Sequence, residues 1–167
     1  MPGNPLELTI VYGAGAADLA HDKALLDLFT LWQSKRGTRA LPSRADFSHQ
    51  ELRPWFGNLA LLEAVDGGAD FRFRLMGMNL VSEVGFDHTG RLMSEHPNKT
   101  LIPHFLAVHR ETLKRRTPIL AEHKPEVDAV KRRRRLILPL ARDGEVADMT
   151  MTASYPIAFT RDPDRYL

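Results

Sequence analysis

The residues with the greatest chemical reach in this sequence are its clustered cations and its imidazoles. Five basic residues in a row, Lys131-Arg132-Arg133-Arg134-Arg135, stand in front of an apolar stretch. On a strand they divide by alternation: Arg134 shares a face with Leu136, Leu138 and Leu140, while Arg133 and Arg135 share the other. An arginine turned inward can clamp a carboxylate or phosphate with its planar fork of donors. The plainer alternative is a solvated strand end balanced by Glu122, Glu126 and Asp128. A nucleic-acid patch needs interleaved aromatics and a basic domain, and neither is present. His104 and His109 fall on one predicted helix, but a spacing of five turns them to different faces, unlike the i, i+4 pair that chelates one ion. There is no HExxH pattern, no His-Cys set and no carboxylate cluster for zinc or calcium. None of the serines at 34, 43, 48, 82, 94 and 154 sits in a G-x-S-x-G elbow, and Glu122 and Glu126 flank Pro125 as solvated carboxylates. Gly13-Ala14-Gly15-Ala16-Ala17-Asp18 imitates the start of a dinucleotide fingerprint, yet Asp18 takes the place of the third small residue and no βαβ unit follows. No catalytic or metal site is expected.

The frame for these residues is one domain. A chain of 167 residues can bury a real core without staples, and no run of about 18 apolar residues exists to cross a bilayer. A net charge of +2 is too balanced for a protein that lives by general phosphate attraction. The absence of cysteine removes disulfides, thiolate metal sites, thiol catalysis and cysteinyl photoadducts together. The first residues have neither the basic nor the apolar part of a secretion signal, which points to the cytoplasm, and neither nucleic acid nor membrane is expected as a partner.

Along the chain, residues 1–17 read as a loosely attached flexible arm. A helix follows over 18–37, capped by Asp18 and ended by Gly37, with Leu25, Leu28, Phe29 and Trp32 as one apolar stripe. Two apolar runs, Leu59 to Val65 and Phe71 to Met76, flank Asp66-Gly67-Gly68-Ala69-Asp70 and form a hairpin. In its second strand Phe71, Phe73 and Leu75 alternate with Arg72 and Arg74. Gly77, Gly85 and Gly90 break the next stretch into short helical turns, with Asp87 suited to an Asx-type turn. A longer helix is expected over about 98–116, ended by Pro118, and then strands at 119–123, 133–140 and 146–157. In the last strand Met149, Met151, Ala153 and Tyr155 share a face opposite Asp148, Thr150, Thr152 and Ser154. The result is an α+β fold: a five-stranded antiparallel sheet with helices inserted between its second and third strands and an amphipathic N-terminal helix.

The series Leu31-Trp32-x-x-Lys35-Arg36-Gly37, Leu41-Pro42-x-Arg44-x-Asp46-Phe47, Phe71-x-Phe73-Arg74-Leu75-x-Gly77, Gly85-x-Asp87-x-Thr89-Gly90 and Leu138-Pro139-Leu140-x-x-Asp143-Gly144 resembles the PAS-like family of single-domain proteins found mostly in alphaproteobacteria. The resemblance covers roughly residues 22 to 155, with one departure, Ser48-His49, where the family pattern has a proline. It implies a PAS fold over 38–158, followed by a tail at 159–167, and a sensor or interaction module with no chemistry of its own. It names no cofactor; a haem iron held by His104 or His109 is conceivable by analogy with other PAS sensors, and both haem and flavin are disfavoured.

In such folds the helices of 77–116 wall a cavity opposite the sheet, for which the candidate lining is Phe73, Leu75, Phe105, Leu138, Met149 and Met151, with Arg134 as an anion clamp at its mouth. The 18–37 helix is expected to pack across the sheet or against its copy in a homodimer. Two functions follow from this resemblance, and a third reading, an enzyme, needs convergent polar groups with perturbed pKa values in the same void. One is a cytoplasmic sensor or adaptor that binds a small organic ligand and signals through a partner protein or dimer rearrangement, since the sequence carries no kinase, cyclase or DNA-binding segment. The other is a ligand-free interaction module with a filled core. A void of about 300 Å³ or more separates the two.

Overall fold

The computed structural model describes residues 7–124 and 132–157. Six strands form one antiparallel sheet: β1 (Glu7–Tyr12), β2 (Leu59–Val65), β3 (Asp70–Met76), β4 (Ile119–Lys124), β5 (Arg133–Leu140) and β6 (Met149–Pro156), in the spatial order β1-β4-β5-β6-β2-β3. Four α-helices accompany them: α1 (Lys23–Lys35), α2 (His49–Leu52), α3 (Met78–Val84) and α4 (Ile102–Arg115). The α+β class and the insertion of helices between the two strand groups stand as expected. The strand count does not, because Glu7–Tyr12, read as part of an arm, pairs along β4 from Glu7↔Lys124 to Tyr12↔Ile119 and covers that strand's free edge. Its signal is weak in sequence because it is short and its partner lies far along the chain. Glu126, Asp128, Lys131 and the expected tail at 159–167 lie outside the described residues.

The helix after the first strand begins later than expected. The Asp22 carboxylate accepts from the Leu25 N–H at 3.2 Å and caps α1, while Asp18 accepts from Gly15 N at 2.8 Å and closes a separate 3-10 turn at Ala16–Leu19. Gly37 takes a positive φ of 59° just past the helix end, which only glycine adopts without strain. Leu25, Leu28, Phe29 and Trp32 are all buried, packed with Leu136, Leu138, Leu140, Met151 and Ala153 of the sheet. Of the two placements foreseen for this stripe, the chain's own sheet is the one it takes, so the stripe is not available to a second copy.

The remaining elements hold their expected bounds to within a few residues. Thr112 O accepts from Arg116 N at 3.0 Å as α4 ends, two residues before Pro118. Pro139, inside a central strand, is tolerated because pairing with β4 stops at Ile137; its carbonyl accepts the Trp32 indole N–H at 2.9 Å. Ser48, the departure from the family pattern, caps α2 together with Glu51. Gly77 is required by space: a Cβ there would overlap the carbonyl oxygens of Phe56 and Gly57.

The sheet is covered on both faces. On one face α1 closes a core with Leu59, Leu61, Leu136, Leu138 and Leu140. On the other, Ala60, Leu62 and Phe71 face Met93 and Ile102, and Ile137 faces Val108 of α4.

Candidate functional site

The second face is not filled. Between the sheet and the segment from α3 to α4 lies a cavity of about 690 Å³, within the range of small-molecule sites. Its floor is built by alternation. Arg133 and Arg135 of β5, Thr152 and Ser154 of β6, and Ala60 and Leu62 of β2 all point the same way, as the register pairs Arg135↔Ser154, Ile137↔Thr152 and Ala60↔Thr152 requires. Leu80 and Glu83 of α3, Met93 and His96 of the following turns, and Ile102, Phe105 and His109 of α4 form the wall and roof.

Of the candidate lining residues, the structure brings Phe73 and Phe105 to the cavity and takes the others to the opposite face. Leu138 and Met151 are fully buried under α1, and Leu75 and Met149 pack against the same cluster. Two physical reasons account for this. A β-bulge between Leu61 and Leu62 pairs Leu61 with Leu75 and Leu62 with Phe73, so Phe73 and Leu75 part to opposite faces although two residues apart. In β5 and β6 the apolar alternate serves the helix side, and the alternate that carries arginine, threonine and serine serves the cavity. Arg134 moves with it: its Nε and Nη2 donate to Glu122 Oε1 at 2.8 and 2.6 Å, and Asp22 Oδ2 stands 3.7 Å from Nη1. The anion clamp expected at Arg134 is therefore corrected to a structural ion pair on the α1 face.

The two arginines that do reach the cavity differ. Arg133 is compensated: its Nε donates to Ser154 Oγ at 2.9 Å, one Nη donates to Ser154 O at 2.8 Å, and the other pairs with Glu83 of α3, tying the wall to the floor. Arg135 makes no hydrogen bond or ion pair among the described residues; its guanidinium sits 4.0 Å from the centroid of the Phe105 ring. Burial, and then the charge of Arg133, push the Arg135 pKa down to about 9, still protonated at neutral pH.

Histidines complete the polar lining. His109 Nδ1 lies 2.9 Å from Thr150 Oγ1 with its ring against Phe71, and the His123 ring meets Phe105 edge-on. Burial, with Arg135's charge adding, holds both at about 3, so each is a neutral imidazole. His96 is held at about 4 by burial and then by its neighbours His88 and Lys99; it stacks on His88 at 4.5 Å. His88 is fully buried among Phe73, Phe86 and His96, with neither ring nitrogen hydrogen-bonded among the described residues, and burial lowers its pKa. The helix histidines separate as their spacing requires: His109 reaches the cavity and His104 lies exposed. Thr152 Oγ1, in the cavity lining, is buried without a hydrogen-bond partner among the described residues.

Glu83, His96, His123 and Arg135 were not among the sequence candidates. The polar alternate of β5 and β6, Arg133, Arg135, Thr150, Thr152 and Ser154, was the available signal: polar residues at strand spacing inside a buried sheet.

A family model described as PAS domain matches residues 20–153. The chain belongs to the PAS domain family. A search of curated proteins found no match. PAS domains are generally sensory rather than catalytic, and this one presents the family's sheet with its helices, plus β1 at one edge. No helix among the described residues is long and apolar enough to cross a membrane, and no group of three or more metal-ligating side chains occurs among them.

Proposed function

We propose that this PAS domain is a cytoplasmic sensor or adaptor whose cavity binds a small organic ligand and whose output passes to a partner protein or a second copy of the chain. The cavity carries the reading: about 690 Å³, mostly apolar, with convergent polar groups at its floor. An interaction module with a filled core would be packed to native density at this place. Thr152 Oγ1 adds to the argument, since buried polar groups ordinarily have partners and this one has none among the described residues.

The route of output is α3. This helix lines the cavity with Leu80 and Glu83 and presents Met78, 69% exposed, to the outside. Gly77 and Gly85 bracket it, and the Arg133–Glu83 ion pair fastens it to the sheet. A ligand that displaces Glu83 or fills the space beside Leu80 changes the surface α3 offers a partner. No step of this reading needs catalysis, haem or flavin.

Native mass spectrometry of the full chain isolated from its natural host tests it. The expected result is colourless protein carrying a small adduct that is lost on denaturation. A bare mass, together with a thermal midpoint that no member of a small-molecule library shifts, contradicts the reading.

A further inference from the structure

The charges around the cavity do not balance, and the imbalance has one address. Arg133 has Glu83 and Ser154, and Arg134 on the far face has Glu122. Among the described residues the groups that face Arg135 are His109 from α4, His123 from β4, Phe105 and the Arg133 cation, none of them anionic. With its central carbon 4.0 Å from the Phe105 ring centroid and no hydrogen bond among the described residues, the Arg135 guanidinium keeps its N–H donors for another partner. Beside it His123 makes no hydrogen bond among the described residues, and its neutral ring holds one N–H to donate. Away from this corner Leu62, Leu80, Met93 and Ile102 offer an apolar body contact, beside the polar His96, Asn98 and Thr100.

We propose that the ligand is an organic carboxylate with an apolar body, its carboxylate bound by Arg135 and its body lying along Leu62, Leu80 and Ile102. This rests on the ligand-binding reading above and specifies its chemical class. Among the described residues Arg135 is the one guanidinium of the cavity without an anionic partner, and it matches a single carboxylate in two parallel hydrogen bonds. A phosphate dianion needs a second free cation, and Arg133 is already neutralised.

Octanoate and decanoate, titrated into the full chain by calorimetry against octanol and decanol, test the proposal. The acids should bind the wild type on the order of ten to a hundred times more tightly than the matched alcohols. Arg135→Gln should erase that preference while leaving the alcohols' affinity in place, and Arg134→Gln, which alters the other face, should preserve it. Arg135→Lys keeps the charge without the fork and should give an intermediate preference. Equal affinity for acid and alcohol in the wild type, or a preference that survives Arg135→Gln, overturns the carboxylate assignment while leaving a ligand cavity. Failure of both acid and alcohol to bind overturns the ligand-binding reading and this inference with it. The wild-type comparison needs no variant, so a misfolded Arg135→Gln does not shield the proposal.

Discussion

The two faces of the central sheet are made from the same strands and put to different uses. Under α1, Leu136, Leu138 and Leu140 are buried in one cluster with Leu25, Leu28 and Phe29, and both tryptophans spend their indole N–H on backbone carbonyls, Trp32 on Pro139 and Trp55 on Ala24. On the opposite face, one residue out of step along the same strands, Arg133, Arg135, Thr152 and Ser154 look into open space beneath α3 and α4. One face holds the fold together and the other leaves a cavity, the proposed ligand site. Alternation in a sheet covered on both sides lets a domain of this size do both, because each strand contributes separately to each face.

The largest effect expected from this contrast is in core truncation. Leu138→Ala, on the filled face, should cost about 2–5 kcal/mol in urea unfolding, since the lost methyl groups leave a new cavity. Leu62→Ala enlarges a void that is already there and should cost clearly less; equal losses would mean that the second face is as tightly packed as the first.

A second difference is acid sensitivity, because the shifted histidines all sit on or behind the cavity face. In the unfolded chain these imidazoles take a proton near 6.5, whereas in the fold His96 stays neutral to about 4 and His109 and His123 to about 3. The unfolded state therefore binds more protons, and stability falls as pH drops from about 6.5 towards 4. The lowered carboxylates, such as Glu51 at about 2, add their loss below that window. His109→Gln should flatten the slope of urea midpoint against pH between 6.5 and 4; an unchanged slope would place the titrating groups elsewhere.

Smaller effects follow on the filled face. Trp32→Phe removes the bond to Pro139 while keeping most of the ring's packing, and should cost on the order of 1 kcal/mol. Arg134→Gln breaks a half-buried ion pair with Glu122 and should cost about 1 kcal/mol or less. A loss several times larger at Arg134 would mean that its ion pair, not apolar packing, anchors this side of the sheet.

The parts of the molecule legible in sequence were those whose signal is local. The α1 stripe repeats at helical spacing, Asp66-Gly67-Gly68 marks its own turn with positive φ at all three residues, and Asp87 accepts from Thr89 N in the Asx geometry its type favours. Face assignment was not legible, because it depends on what covers each side. Leu138 and Met151 look like cavity residues if the apolar alternate is taken to face the ligand, and only the burial of α1 against them shows otherwise. The bulge beside Leu62 leaves no mark in composition, yet it sends Leu75 away from Phe73. Placing Arg134 instead of Arg135 in the cavity was the same error by one residue, the smallest slip that alternation permits.

If the cavity is a ligand site, one face of the sheet admits small molecules and the other does not. Methyl-resolved NMR of the full chain titrated with decanol, which tests space without charge, addresses it directly. Shifts are expected at Leu62, Leu80 and Ile102 with none at Leu136, Leu138 or Leu140. Shifts on the α1 side, or none at either, would contradict it.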